Sequence, residues 1–314
     1  LIFLAEFLYL RKTIKSYSFK TLLMKNLFLA LISVLVFQLG YSQGIVKEKQ
    51  VIKSAILNKD VHYSIYLPSD YNTSQRAYPV TYLLHGYGDA DDGWIQYGEI
   101  NRLADDAIST GKIPPMIIVT PDGFTGFYIN SADGKMNYED FFVKELIPYI
   151  EKTYKVKTER KFRAIAGLSM GGYGSMILAL KHPDLFVAAA PLSAAVWTDN
   201  DIINLQDGMY NSLFSSSMGT NLKGKDRLTS AWLNNSIFGI IEKKSKEELS
   251  AVRYWIDCGD DDFLTIGNSE LHIALIKKNV PHEFRMRDGA HNWTYWRTGV
   301  IDALSFIGDS FHQK

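Results

Sequence analysis

Gly167-Leu168-Ser169-Met170-Gly171 lies between an apolar run, Phe162 to Ala166, and a run of small residues, Gly172-Tyr173-Gly174-Ser175. In a strand–turn–helix setting, a Gly-x-Ser-x-Gly pentapeptide presents its serine on a sharp turn as an exposed nucleophile. The flanking glycines let strand and helix approach with no Cβ between them. A serine hydroxyl attacks poorly until a base takes its proton, and that base must be held in the right tautomer by an acid. On such an architecture the acid and then the histidine follow the serine, each on a loop after a late strand. His291 fits, in Asp288-Gly289-Ala290-His291-Asn292-Trp293 after the strand-like Phe284–Met286. The acid loop is Gly259-Asp260-Asp261-Asp262-Phe263-Leu264, directly after the strand-like Val252–Asp257. Spacing alone does not choose among its three carboxylates.

The same chemistry needs fixed N–H donors for the tetrahedral oxyanion. One comes from the residue after the nucleophile, Met170; the other comes from the loop after an early strand. His85-Gly86-Tyr87-Gly88 is placed for the second, and the N–H of Tyr87 is the expected donor. His85 precedes the serine and ends a buried strand, so it is expected to shape this loop rather than to catalyse. The remaining histidines and Cys258 form no metal-ligand pattern, and there is no phosphate-cradling glycine loop. No metal or cofactor is expected.

These residues must be positioned by short apolar strands, among them Val80–Leu84 and Met116–Thr120, alternating with amphipathic helices such as Tyr138–Tyr154. That alternation predicts a mostly parallel central sheet with helices on both faces, an α/β class fold. The segment Ala194–Ser250 fits the alternation poorly. It is rich in Asn, Ser, Gly and Lys with embedded aromatic residues, and reads as a cap-like insertion in a single domain spanning 43–314.

Of the 314 residues, 46% are apolar and 22% charged, an ordinary globular composition. Met24-Lys25-Asn26, the apolar Leu27–Leu39 and the small-x-small Gly40-Tyr41-Ser42 read as a signal peptide cleaved before Gln43. The apolar run is too short to span a bilayer, which takes about 20 residues. Residues 1–23 are expected to be an over-extended gene start, the alternative being an amphipathic arm. Five of the 34 Lys and Arg and one of the 34 Asp and Glu fall within 1–42, leaving the remainder at −4. Such a balance offers no electrostatic footprint for nucleic acid or an anionic membrane. With one cysteine, no internal disulfide can form.

Taken together, Tyr82-Leu83-Leu84-His85-Gly86, Gly167-Leu168-Ser169-Met170-Gly171-Gly172, Cys258-Gly259-Asp260-Asp261-Asp262 and Gly289-Ala290-His291-Asn292-Trp293 resemble the esterase D group of α/β-hydrolases. That group includes feruloyl and acetylxylan esterases of carbohydrate esterase family 1, S-formylglutathione hydrolases and mycolyltransferases. The resemblance implies an α/β-hydrolase fold, places the acid on Asp262 through the Cys-Gly-x-x-Asp pattern, and places the oxyanion donors on Tyr87 and Met170. It implies a serine esterase acting on small-molecule or oligosaccharide esters; the signal peptide makes that esterase secreted or periplasmic and puts feruloyl, aryl or acetyl esters of plant polysaccharide foremost. The competing readings are a broad short-chain carboxylesterase, an S-formylglutathione-hydrolase-like thioesterase, an acyltransferase and a non-catalytic binder on the same fold. Trp94, Tyr128, Trp197 and Trp293 flank the expected catalytic loops and are the candidate substrate-binding aromatics.

Overall fold

The computed structural model describes residues 43–312 together with Arg11, Met24 and Lys25. The chain falls into two units, Leu1–Ser42 and Gln43–Lys314, and the fold below is that of the second. The signal-peptide and gene-start readings lie outside the described residues, apart from those three positions.

Eight strands form one sheet: β1 (Ile45–Ser54), β2 (Lys59–Leu67), β3 (Val80–Leu84), β4 (Ile117–Pro121), β5 (Arg163–Leu168), β6 (Ala188–Leu192), β7 (Arg253–Gly259) and β8 (His282–Arg287). Their spatial order is β1-β2-β4-β3-β5-β6-β7-β8. The pairs β1–β2 and β2–β4 are antiparallel, and every pair from β4 to β8 is parallel. The helices are α1 (Gly93–Gln96), α2 (Ile100–Ser109), α3 (Tyr138–Phe141), α4 (Ile147–Thr153), α5 (Met170–Lys181), α6 (Asp199–Asn204), α7 (Asp207–Met218), α8 (Ser230–Asn235), α9 (Ile237–Lys243), α10 (Lys246–Leu249), α11 (Thr265–Lys277) and α12 (Trp293–His312). A π-helical turn, Phe142–Leu146, joins α3 to α4, so the expected Tyr138–Tyr154 helix is one interrupted element.

Why the central strands read as unbroken apolar runs is plain from their two faces. Successive side chains of a strand point to opposite sides of the sheet. In β3, Val80, Tyr82 and Leu84 enter one core and Leu83 the other; in β5, Ile165 enters the first and Ala164, Ala166 and Leu168 the second. Helices α3, α4, α5 and α11 cover the first face, and α2 and α12 the second. Alanines on the second face of β5 and β6 give Val300, Ala303, Leu304 and Ile307 of α12 room to pack close. Helix α5 is buried along almost its whole length, which explains why its sequence is apolar all round rather than amphipathic.

The expected insertion consists of α6–α10 and a short 3-10 turn, Gly224–Arg227, between β6 and β7. Its first residues belong to the sheet layer instead: Ala194, Ala195 and Val196 are buried beside β6, and the Ala195 N–H donates to the Ser169 carbonyl at 2.9 Å. Local hydrogen bonds start its helices. Thr198 and Asp201 form a capping box on α6, and Ser245 and Glu248 form another on α10. A fully buried guanidinium, Arg227, donates to the carbonyls of Leu222 and Ile202 and pairs with Asp207. Over it lies the ring of Tyr210, which packs in turn on Phe214, and Phe214 meets Trp232 and Trp197 edge-on.

Candidate active site

Gly167 and Gly171 allow the turn between β5 and α5 to be this tight. A Cβ on Gly167 would stand 2.4 Å from the Gly171 carbonyl oxygen, and one on Gly171 would stand 2.4 Å from that of Leu84. The residue between them absorbs the bend: Ser169 has φ 54° and ψ −115°, a backbone state costing about 1–3 kcal/mol in a residue with a side chain. Its N–H donates to Leu192 O at 2.9 Å, and its carbonyl accepts from Tyr173 and Ala195, so the strained residue is held from three sides.

The hydroxyl of Ser169 lies 3.0 Å from His291 Nε2. On the far side of that ring, Nδ1 donates to Asp262, at 2.8 Å to Oδ2 and 3.0 Å to Oδ1. Burial by itself would raise the Asp262 carboxyl, but the hydrogen bonds from His291 and from the Leu264 N–H outweigh it and hold it below the usual carboxylate range. Asp262 is therefore an anion at neutral pH, facing the ring that would become cationic in catalysis. The other two acid-loop carboxylates lie elsewhere. Asp260 Oδ1 accepts from the Asp261 and Gly289 N–H groups, and Asp261 is exposed. The imidazole is packed between the Phe263 ring, 4.5 Å away between centroids, and the edge of Trp296 at 4.9 Å.

On the opposite side of Ser169 stands the loop after β3. His85 Nδ1 donates to Gly86 O at 2.8 Å, and the Gly123 N–H donates to His85 Nε2 at 2.8 Å. Those two partners require the neutral ring with its proton on Nδ1. A trans peptide holds C=O and N–H antiparallel. Pinning the Gly86 carbonyl therefore also aims the Tyr87 N–H on the same peptide plane. Among the described residues, neither the Tyr87 nor the Met170 N–H donates to a protein acceptor, the condition an oxyanion donor must meet. Outside the loop, the Tyr87 hydroxyl donates to Ser212 O on α7 at 2.8 Å.

The candidate aromatics divide. Trp94 and Tyr128 are 0% exposed and do not line a cleft. The Trp94 indole donates to Leu84 O and the Tyr128 hydroxyl to His85 O, so both rings buttress the β3 loop from within. That corrects the sequence expectation, and the reason is that each has a backbone carbonyl to satisfy its polar tip inside the core. Trp293 is half-buried, edge-on to Trp94 and Trp296; Trp197 is half-buried against Phe127 and Phe214.

Two residues not anticipated from the sequence complete the arrangement. Asn268, fully buried on α11, accepts from Ala194 N–H and donates to the carbonyls of Ala194 and Leu264, joining the acid loop to the segment that grips Ser169. A lone amide on the buried face of a helix was the available signal. The other is Phe263, whose ring covers His291 while remaining largely exposed. Burial pushes the Cys258 thiol up to about 12, so it stays protonated and unreactive. Asp260, Asp261 and Asp288 approach one another closely enough to share an ion, but all three are exposed and Asp260 already accepts two backbone bonds.

A family model for esterases matches residues 54–307. The chain belongs to the esterase family. This member is 30% identical over 246 residues to an esterase of Mycobacterium tuberculosis, covering 73% of this chain and 52% of that protein. It is 35% identical over 146 residues to an endo-1,4-beta-xylanase/feruloyl esterase of Xylanibacter ruminicola, covering 44% of this chain and 20% of the relative. The chain thus spans about half or less of the length of these curated relatives. Among solved structures, a ferulic acid esterase superposes with a TM-score of 0.73 at 32% identity, covering 85% of this chain and 99% of that one. The esterase-family sheet and its flanking helices are those of the α/β-hydrolase fold.

Proposed function

We propose that this esterase-family member is a serine carboxylic-ester hydrolase working through an acyl-enzyme. The observation that carries the reading is the continuous chain from Ser169 Oγ through both nitrogens of His291 to Asp262. Ser169 attacks the ester carbonyl while His291 Nε2 takes its proton; Asp262 holds the Nδ1–H tautomer and stabilises the imidazolium. The carbonyl oxygen, now an oxyanion, accepts from the N–H groups of Tyr87 and Met170. His291 passes the proton to the departing alcohol, then activates water to release the acid, and Ser169 regains its hydrogen.

For the ester itself, feruloyl, aryl or acetyl groups carried on plant polysaccharide are the proposed substrates. Support comes from the likeness to a ferulic acid esterase and to a xylanase/feruloyl esterase. The basic, apolar and small-residue succession in 24–42 supports export with cleavage before Gln43. No described helix is long and apolar enough to cross a membrane.

Incubation with a fluorophosphonate followed by peptide mass analysis tests the mechanism. The adduct is expected on Ser169, with turnover of p-nitrophenyl acetate abolished in step with labelling. Labelling elsewhere, or full turnover by a folded Ser169→Ala variant, would refute the assignment.

A further inference from the structure

Two strands of the sheet have a neighbour on one side only, and their free edges differ in kind. β1 pairs with β2 alone; its register slips between Lys47 and Gln50, and it carries Lys47, Lys49 and Lys53. A bulge and edge lysines keep an exposed strand from pairing with another chain. β8 pairs with β7 alone, in unbroken register from His282 to Arg287, and carries no lysine. We propose that the β8 edge receives a second copy of this chain, the two strands pairing antiparallel across a two-fold axis at Phe284. The proposal stands apart from the esterase reading, since none of its residues belongs to the Ser169 site.

Backbone direction limits the register. The Asp260 N–H, at the end of β7, donates to the Arg287 carbonyl, so the polar groups of Arg287 face β7. Backbone groups of alternate residues in a strand point the same way. Glu283 and Arg285 therefore also face β7, while His282, Phe284 and Met286 face outward. Among the described residues this outer row meets one donor, the Arg285 guanidinium, 3.2 Å from the Phe284 carbonyl. An axis at Phe284 lets that residue pair with its own copy and His282 with Met286, using outward groups throughout.

Charge then favours this partner over others. In the same register Glu283 lies opposite Arg285 twice, at positions without ladder bonds, where facing side chains come closest. Within one chain these two already form an exposed pair at 2.5 Å. A second copy brings the same pair reversed, so the four charges alternate in sign. Charges that repel an arbitrary strand are thus matched against this one.

Apolar surface lies beside the edge as well. The His272 ring of α11 stacks on Phe284 with centroids 4.5 Å apart, which sets that helix over β8. Next to His272 and one turn beyond it, Ile273 and Ile276 are 46% and 53% exposed, and Met286 is 48% exposed. Across the two-fold, the α11 helices of both copies run over the joined strands and cover these side chains against each other.

Sedimentation velocity on the purified protein from about 0.1 to 100 µM, the range in which modest interfaces dissociate, reads the association. A dimer is expected. Glu283→Arg and Arg285→Glu each place like charges opposite one another at both ends of the two-fold, and each should weaken the dimer about tenfold or more. Combining the two reversals restores the pairing and should bring the dimer back to within about threefold of wild type. Ile276→Lys should weaken it about tenfold through the lost apolar burial. Circular dichroism establishes that each variant is folded. A wild type that stays monomeric throughout would overturn the proposal. A dimer that both single reversals leave intact, or that the double reversal fails to restore, would overturn pairing through β8.

Discussion

His85 makes two hydrogen bonds with opposite duties, and they can be separated. Its Nδ1–H fixes the Gly86 carbonyl and through it the Tyr87 N–H, while Nε2 accepts from Gly123 and ties the loop after β4. In His85→Gln the side-chain amide can reach the Nε2 position and keep the Gly123 bond while losing the donor to Gly86. In His85→Asn the amide sits near Nδ1 and does the reverse. Losing an oxyanion donor outright costs about 10²–10³ in kcat. The Asp89 N–H also holds the Gly86 carbonyl, at 3.2 Å, so the peptide should swing only partly and His85→Gln should lose about 10- to 100-fold in kcat with KM little changed. His85→Asn should keep kcat within a few-fold of wild type. His85→Asn should lose about 1–3 kcal/mol of stability, because it leaves the buried Gly123 N–H unpaired, and His85→Gln less, because the Gly86 carbonyl keeps its bond from the Asp89 N–H. Steady-state kinetics on p-nitrophenyl acetate alongside urea unfolding would read the two effects separately. Equal loss of kcat in both variants, or none in His85→Gln, would show that the carbonyl bond does not aim the Tyr87 N–H.

Asp262→Asn should lower kcat on the order of 10⁴ by favouring the wrong histidine tautomer, whereas Asp260→Asn and Asp261→Asn should stay within about tenfold; kcat for the three variants decides which carboxylate serves His291. Asn268→Ala removes the link between Ala194 and Leu264 and should cost about 2–3 kcal/mol in urea unfolding, with a fall in kcat that Asn268→Gln does not rescue, since the longer amide cannot fit the same buried site. Glu139 is buried, which alone would raise its carboxyl, but its bonds with His182 and Lys181 hold it below the ordinary glutamate value. A depressed folded-state pKa contributes stability that is present above the unfolded value of about 4.3 and is lost as pH falls through the lower folded one. The stability gap between wild type and Glu139→Gln should therefore be constant from pH 7 to about 5 and close below about 4; a gap that widens on acidification would reverse the sign.

The parts of this protein that were readable from sequence are those with a local physical cause. The strands β3, β5 and β6 announce themselves as short apolar runs because both faces are covered. Ser169 announces itself because only glycines tolerate the contacts at 167 and 171. The aromatics beside the catalytic loops carried no such mark. Trp94 and Trp293 are both tryptophans near a loop, and only the position of Leu84 O, set by the sheet, determines that Trp94 turns inward. The start of α11 at Thr265 follows from Asp262 and Gly259 carbonyls that only the folded acid loop brings into place. The insertion did offer local signals in the Thr198–Asp201 and Ser245–Glu248 pairs, yet its poor apolar periodicity conceals helices whose scattered apolar residues, among them Ile202, Phe214 and Ile237, join the main core beside a buried cation.

That cation has a consequence for how such a chain can diversify. Since Arg227 satisfies carbonyls from both α6 and the turn before it, the polar interior of the insertion is closed by its own residues, while the elbow is braced by β6 and the residues after it. Changes in the outer layer can thus accumulate with little strain passed to the reacting atoms. The links between the two layers include the Tyr87 hydroxyl on Ser212, the Tyr173 hydroxyl and Lys181 ammonium on Asn235, the Ala132 N–H on the Ser217 carbonyl, Lys278 on the Glu242 carbonyl, and the packing of Trp197 and Phe214 on Phe127. A lineage that preserves those joints is free to redraw the surface above them, so one catalytic chassis can inherit many different mouths.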